Sequence, residues 1–244
     1  MYGQVTAFHN YGFSMKVHPF ALANLQYGSE VANLDTSLTF CIKYKQAAGT
    51  SAMNTYFMLL KGCKMNTMTM SVSAKGLVEV DTTWIVGEVT VPFTTANAGL
   101  TTPTFPTFAS ITSPPFSNLD GGSTPFTMNS IARAVQEFSI TWNNNLIPDA
   151  FAGSGYLDAL TTGQREFTGT FTVPVGQDLQ LETALHDFPQ VEVNADYIFK
   201  TGVVVTHITG LKVLSSAPNF SATANETLKH NFTWKAANAT LAAS

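Results

Sequence analysis

Residues 76–86 read GLVEVDTTWIV, and in this run Val78, Val80 and Trp84 alternate with Glu79, Asp81 and Thr83. A period of two fits a strand with one buried and one wet face, and no helix can satisfy it. The pattern recurs along the chain. In TSLTFCIKYK (36–45), Leu38, Phe40, Ile42 and Tyr44 point one way, and Thr39, Cys41, Lys43 and Lys45 the other. TYFMLL (55–60) is a short apolar run, and CKMNTMTMSVSA (63–74) puts Met68, Met70 and Val72 on one face, with Lys75-Gly76 as the turn to the next strand. In the second half Phe138, Ile140 and Trp142 share a face, as do Phe167, Phe171 and Val173 against Glu166, Thr168, Thr170 and Thr172. Residues 203–214 and 226–235 complete the set, the last with Leu228, Phe232 and Trp234 on one face. The expectation is an all-β chain of one domain over 1–244, with the three tryptophans in its core. Helix is confined to one or two short segments, 179–188 after Asp178 and 20–27.

Composition agrees with a sheet protein. Only 11% of the 244 residues are charged, and 33 Thr, 17 Ser and 16 Asn take the place of charge. Thr is β-branched and suits a half-exposed strand. The net charge is −4 and the only arginines are Arg133 and Arg165. A nucleic-acid reader needs basic patches to neutralise phosphates, so gripping DNA or RNA is not expected. Letting DNA slide past is compatible with this balance. Cys41 and Cys63 are too few for a disulfide scaffold or a structural zinc site, and one bridge or two free thiols both fit. No apolar run reaches the ~18 residues of a membrane helix. Residues 1–20 lack a basic segment followed by an apolar one, so no signal peptide is expected.

Chemistry is sparse. His9, His18, His186, His207 and His230 fall in no metal-ligand spacing. Gly153-Ser154-Gly155 follows Ala152, which breaks the nucleophile-elbow motif. The paired acids Glu79 and Asp81 lie on one strand face, whereas a glycosidase sets its carboxylates across a cleft. We expect no enzyme, no cofactor and no metal. Asn219, Asn225, Asn231 and Asn238 each open an Asn-x-Ser/Thr triplet, which would make a dense glycan face if the chain met a glycosylation system; the abundance of Asn and Thr is the favoured explanation.

Residues 92–127 stand apart. They hold six of the eleven prolines and one charge, Asp120, with Phe93, Phe105, Phe108, Phe116 and Phe126 scattered through them. Proline at this density denies ladder hydrogen bonds. The phenylalanines argue against simple disorder. The expectation is an arm that packs these rings on a neighbouring subunit, with a long loop folded back on its own domain as the alternative. The two halves also echo each other. Gly62 with Gly210, Lys64 with Lys212, Ser73-Ala74 with Ser221-Ala222 and Trp84 with Trp234 align with a two-residue gap, as two hairpins of one design would.

GCKMNTMTMSVSAKGLVEVDTTWIVGE (62–88) resembles the central hairpin of tail tube proteins from long-tailed bacterial and archaeal viruses. QEFSITWNNNL (136–146) is similar to their strand ending in paired Asn, and REFTGTFTVPV (165–175) to the strand after the intervening loop. The resemblance implies a β-sandwich or small-barrel subunit with a flanking helix. Six subunits would form a ring, each giving strands to a shared inner barrel, and stacked rings would form a tube for the genome. Its partners would be itself and other tail proteins (tape measure, terminator, tail tip), in a virion assembled in the host cytoplasm. DNA would pass without specific binding. In such a barrel Glu79, Asp81, Thr83, Glu166, Thr168 and Thr170 would face a neutral to acidic lumen. The competing reading is an adhesive or carbohydrate-binding β-sandwich. That reading calls for aromatics grouped on an exposed strand face, whereas the tryptophans fall on inward faces.

Overall fold

The computed structural model describes residues 11–17, 36–48, 52–73, 76–90, 126–133, 135–149, 159–174, 192–200, 204–219 and 228–242. Among them every regular element is a strand. The first half carries β1 (Tyr11–Val17), β2 (Leu38–Ala48), β3 (Ala52–Val72), β4 (Glu79–Val86) and β5 (Glu88–Val89). A middle group follows: β6 (Phe126–Met128), β7 (Ile131–Arg133), β8 (Glu137–Asn143), β9 (Leu146–Asp149) and β10 (Ala159–Thr162). The second half carries β11 (Glu166–Pro174), β12 (Val193–Lys200), β13 (Val204–Asn219), β14 (Lys229–Ala236) and β15 (Asn238–Ala242). The all-β expectation holds. Both helix candidates, 20–27 and 179–188, lie outside the described residues.

The main layer runs β1-β4-β3-β8-β11-β14-β13, antiparallel at every step, and is an open sheet and not a closed barrel. A second layer continues from the first half of β13 through β12, β6 and β7, with β15 on the other side of β13. The layers meet through aromatic rings. Phe138 of β8 stacks on Tyr197 of β12 at 4.2 Å, and Trp142 Nε1 donates to the Ala239 carbonyl of β15 at 2.9 Å. Trp84, Trp142 and Trp234 are 4%, 0% and 1% exposed, as their place on the apolar faces predicts. Leu38 and Phe40 are half-buried, whereas Ile42 of the same alternation is exposed. Burial in a two-layer core supplies most of the favourable free energy of such a fold.

Phe126 corrects the arm expectation. It is fully buried in β6, with ring centroids 5.9 Å from Phe138 and 5.6 Å from Phe171. It belongs to the subunit's own core because β6 pairs with β12, whose Tyr197 lies opposite it. Phe93, Phe105, Phe108 and Phe116 lie outside the described residues.

The echo between the halves is structural and runs deeper than the hairpins. Gly62 in β3 and Gly210 in β13 have φ of 62° and 65°, a region that costs any residue with a Cβ. At each glycine a long strand changes partners. β3 pairs with β2 up to Cys63 and with β4 and β8 beyond it; β13 pairs with β12 up to Leu211 and with β14 beyond it. The Gly87 N–H donates to the Lys61 carbonyl, and at the matching corner the Ala237 N–H donates to that of Thr209, both at 3.1 Å. Even the register shifts coincide. They fall between Met65 and Thr67 and between Val213 and Ser215, and again between Leu38 and Phe40 and between Val193 and Ala195. β1–β5 therefore correspond to β11–β15 in order, and β6–β10 lie between the two copies.

The Asn143-Asn144-Asn145 run ends β8 and locks it to β3. Asn144 is fully buried. Its Nδ2 donates to the Met65 carbonyl at 3.0 Å, its Oδ1 accepts from Arg165 Nε at 2.9 Å, and its backbone N–H donates to Asn66 O at 2.8 Å. Asn66 is the extra residue of the β3 bulge, and its Oδ1 accepts from the Leu146 N–H at 2.9 Å. Burial disfavours the Arg165 charge and lowers its pKa, so the neutral acceptor on Asn144 matters to it. Asn144→Ala is expected to cost about 2–3 kcal/mol, because it strands buried polar groups. A urea midpoint unchanged from wild type would contradict this.

Candidate functional surface

An antiparallel sheet commonly packs one face on the core and leaves the other in water. On the open face of the main layer the registers align three rows of side chains. Thr83, Thr67, Asn143 and Glu166 form one row, Asp81, Thr69, Thr141 and Thr168 the next, and Glu79, Ser71, Ser139 and Thr170 the third. The six residues singled out by alternation, on β4 and β11, thus fall in pairs along these rows, on one face of one sheet.

Opposed side chains in an antiparallel pair sit ~5 Å apart, close enough for short hydroxyls to bond across strands. Thr67 and Thr83 hydroxyls are 2.6 Å apart, Ser139 and Thr170 2.7 Å, and Thr69 and Thr141 2.8 Å. Thr172 Oγ1 donates to Asn231 Oδ1 at 2.9 Å, so that asparagine is engaged on this face. The result is a hydroxyl-lined surface whose longer side chains are charged.

Its acids do not stand alone. Lys16 of β1 lies 3.0 Å from Glu79 and 3.7 Å from Asp81, Lys229 lies 3.4 Å from Glu137, and Lys235 lies 3.2 Å from Glu166. The hydrogen bond that Lys16 donates to Glu79, then the Asp81 charge, raises the Lys16 pKa and keeps it cationic. Exposed pairs of this kind add little stability, but they remove most of the field an acidic face would project. The face is close to neutral. Lys16 was the missing element, because no strand was expected before residue 36.

The other candidates are placed as follows. His207 of β13 bonds Asp196 of β12 through Nδ1 at 2.7 Å, and His230 packs on Phe232. Among the described residues no three of His, Cys, Asp and Glu converge to hold a metal. Asn238 is exposed at the start of β15, Asn219 ends β13, and Asn225 lies outside the described residues. Both cysteines are free thiols. Burial pushes the Cys63 pKa up to about 11, against a smaller opposing effect of the Phe40 backbone hydrogen bond. The thiolate is the nucleophile, so iodoacetamide at neutral pH is expected to label Cys41 in the native protein and Cys63 only after denaturation. Equal labelling of both in the native state would contradict the burial.

A sequence model of the family described as phage tail tube protein matches residues 19–241. The chain belongs to the phage tail tube protein family. The match takes in most of both five-strand units and everything between them. No curated protein matches the chain. As a tail tube protein it is a structural component of the virion tail that assembles with itself and with other tail proteins. The hydroxyl face is then a wide, nearly neutral surface on a structural protein of the tail.

Proposed function

We propose that this tail tube protein closes into rings, that the rings stack into the tube, and that the hydroxyl face lines the bore through which DNA passes unbound. The observation that carries this is the face itself: a seven-strand antiparallel sheet, apolar and covered on one side, hydroxyl-lined and charge-paired on the other. A conduit must not hold its cargo, and a surface without unpaired basic clusters gives phosphates nothing to displace counterions for. On this reading Glu79, Asp81, Thr83, Glu166, Thr168 and Thr170 face the lumen. The family resemblance makes six subunits per ring the first expectation, with assembly in the host cytoplasm and contacts to tape-measure, terminator and tail-tip proteins. Phe93, Phe105, Phe108 and Phe116 serve as the arm that packs on a neighbour. Negative-stain microscopy of the purified protein is expected to show tubes or rings; compact monomers at all concentrations would contradict the proposal.

A further inference from the structure

The two five-strand units share one design, but they are not covered alike. In the second unit β6 lies along the outer edge of β12, with Phe126 opposite Tyr197, Thr127 opposite Asp196 and Met128 opposite Ala195. The matching register shifts align Phe40 of β2 with Ala195, and so Cys41 with Asp196 and Ile42 with Tyr197. Yet β2 pairs only with β3 among the described residues, and no described strand stands beside it as β6 stands beside β12.

Side-chain burial records the difference. Phe13 pairs with Trp84 as Gly169 pairs with Trp234, so Met15 of β1 corresponds to Phe171 of β11. In the second unit the Phe126 ring sits 5.6 Å from Phe171 and 6.3 Å from Tyr197, and both are buried. In the first unit their counterparts are uncovered: Met15 is only half-buried and Ile42 is 40% exposed. An apolar strip beside an unpaired strand edge is a template for a further strand.

The sequence holds more copies of the piece that fills the second unit. Pro125-Phe126-Thr127 opens β6, and the same pattern recurs at Pro92-Phe93-Thr94 and Pro115-Phe116-Ser117. Laid on β2 as β6 lies on β12, the Phe falls opposite Ile42, and the residue two further on falls opposite Phe40. That residue is Thr95 in one copy and Asn118 in the other. Thr suits a pleated strand and Asn does not. Sizes also compensate, since β12 sets small Ala195 against Met128 and β2 sets large Phe40 against the smaller Thr95. Pro92 falls at the start of an edge strand, where proline is tolerated.

Phe93 cannot reach the β2 edge of its own chain. Leu60 of β3 has Phe40 on one side and Val89 on the other, so β5 and β2 lie on opposite edges of β3. Thr90 is held there, its N–H donating to the Leu59 carbonyl at 3.0 Å. From Thr90 the three residues to Phe93 span at most ~11 Å. The place beyond β2 is three strand spacings away, ~14 Å, before any detour around β3.

We propose that the outer edge of β2 is a docking groove for Pro92–Thr95 of a second copy, whose Phe93 completes the first unit's core as Phe126 completes the second. This deepens, and rests on, the reading of the proline-rich segment as an arm that packs on a neighbour. The pairing puts Thr94 directly opposite Cys41 of the receiving copy, ~5 Å between Cα atoms and within disulfide reach.

One substitution therefore tests it. Assembled tubes of Thr94→Cys are treated with oxidised glutathione and run on a non-reducing gel. The expected result is chains linked to one another, with the link lost when Cys41→Ser is added. Thr95→Cys, which faces Phe40 on the other side of the strand, is expected to link poorly. Adding Phe93→Ser to Thr94→Cys is expected to lower the linked fraction about tenfold or more, as loss of a buried aromatic anchor does. The urea midpoint of the dissociated subunit is expected to stay at the wild-type value, because Phe93 serves another chain's core. A link within one chain, tubes with no link, or equal linking by Thr95→Cys overturns this inference and leaves the tube reading standing. Wild-type protein that forms neither rings nor tubes overturns both.

Discussion

A single methyl group at position 169 is expected to destabilise the tail tube subunit by about 3 kcal/mol or more, at the upper end of overpacking costs. Gly169 lies on the core face of β11, paired with Ile140 on one side and Trp234 on the other. A Cβ there falls on the Ser139 carbonyl oxygen and on the six-membered ring of Trp234. Neither neighbour can retreat. Ser139 belongs to β8, which is paired on both sides by β3 and β11, and Trp234 is stacked against Phe138 at 6.1 Å. The corresponding pair in the first half, Phe13 and Trp84, solves the same problem by stacking ring on ring at 6.0 Å, on an outer strand that has room for it. The measurement is the urea midpoint of Gly169→Ala. Trp234→Leu in the same chain should return only part of the loss, because the Ser139 carbonyl remains. A midpoint equal to wild type would mean that Trp234 does not lie over Gly169.

Alternation made the faces of β4, β8, β11 and β14 legible, because each is fixed by residues within one strand. Partners were not legible, because they are set across the fold. Glu79 and Glu166 announce an acidic face, but Lys16 and Lys235 reach them from strands 63 and 69 residues away in sequence. Phe126 follows Pro125 at the end of a proline-rich run, so its local sequence reads as loop; its burial comes from β12, about seventy residues later. Gly62 reads as a break between two strands, while the backbone passes through it in a left-handed bend and continues as one. The correspondence of β2 with β12 leaves almost no trace in residue identity. Only matching register shifts reveal it, since a bulge constrains backbone hydrogen bonds and not side-chain type.

Replacing Glu79 and Asp81 together by lysine is expected to leave tubes that assemble but stall on DNA. The subunit should tolerate the change. Glu79, Asp81 and Lys16 are each about half exposed, and surface pairs of this kind contribute about 0–1 kcal/mol. The electrostatic consequence is much larger. One lysine with two carboxylates gives this cluster a charge of −1; three lysines give it +3. On the proposed function the cluster recurs in every copy of every ring, so the bore would gain a basic belt at each level of the tube. Each phosphate it neutralises releases counterions, and binding made of 6–10 such contacts weakens by roughly 10³–10⁵ between 50 and 200 mM salt. Ejection from particles carrying the double variant should therefore arrest at low salt and recover as salt is raised. Glu79→Gln with Asp81→Asn separates charge from contact. It leaves Lys16 without its carboxylates, a cluster of +1, and should slow ejection less than the lysine pair. Wild-type ejection by the lysine pair at low salt would place this face outside the bore.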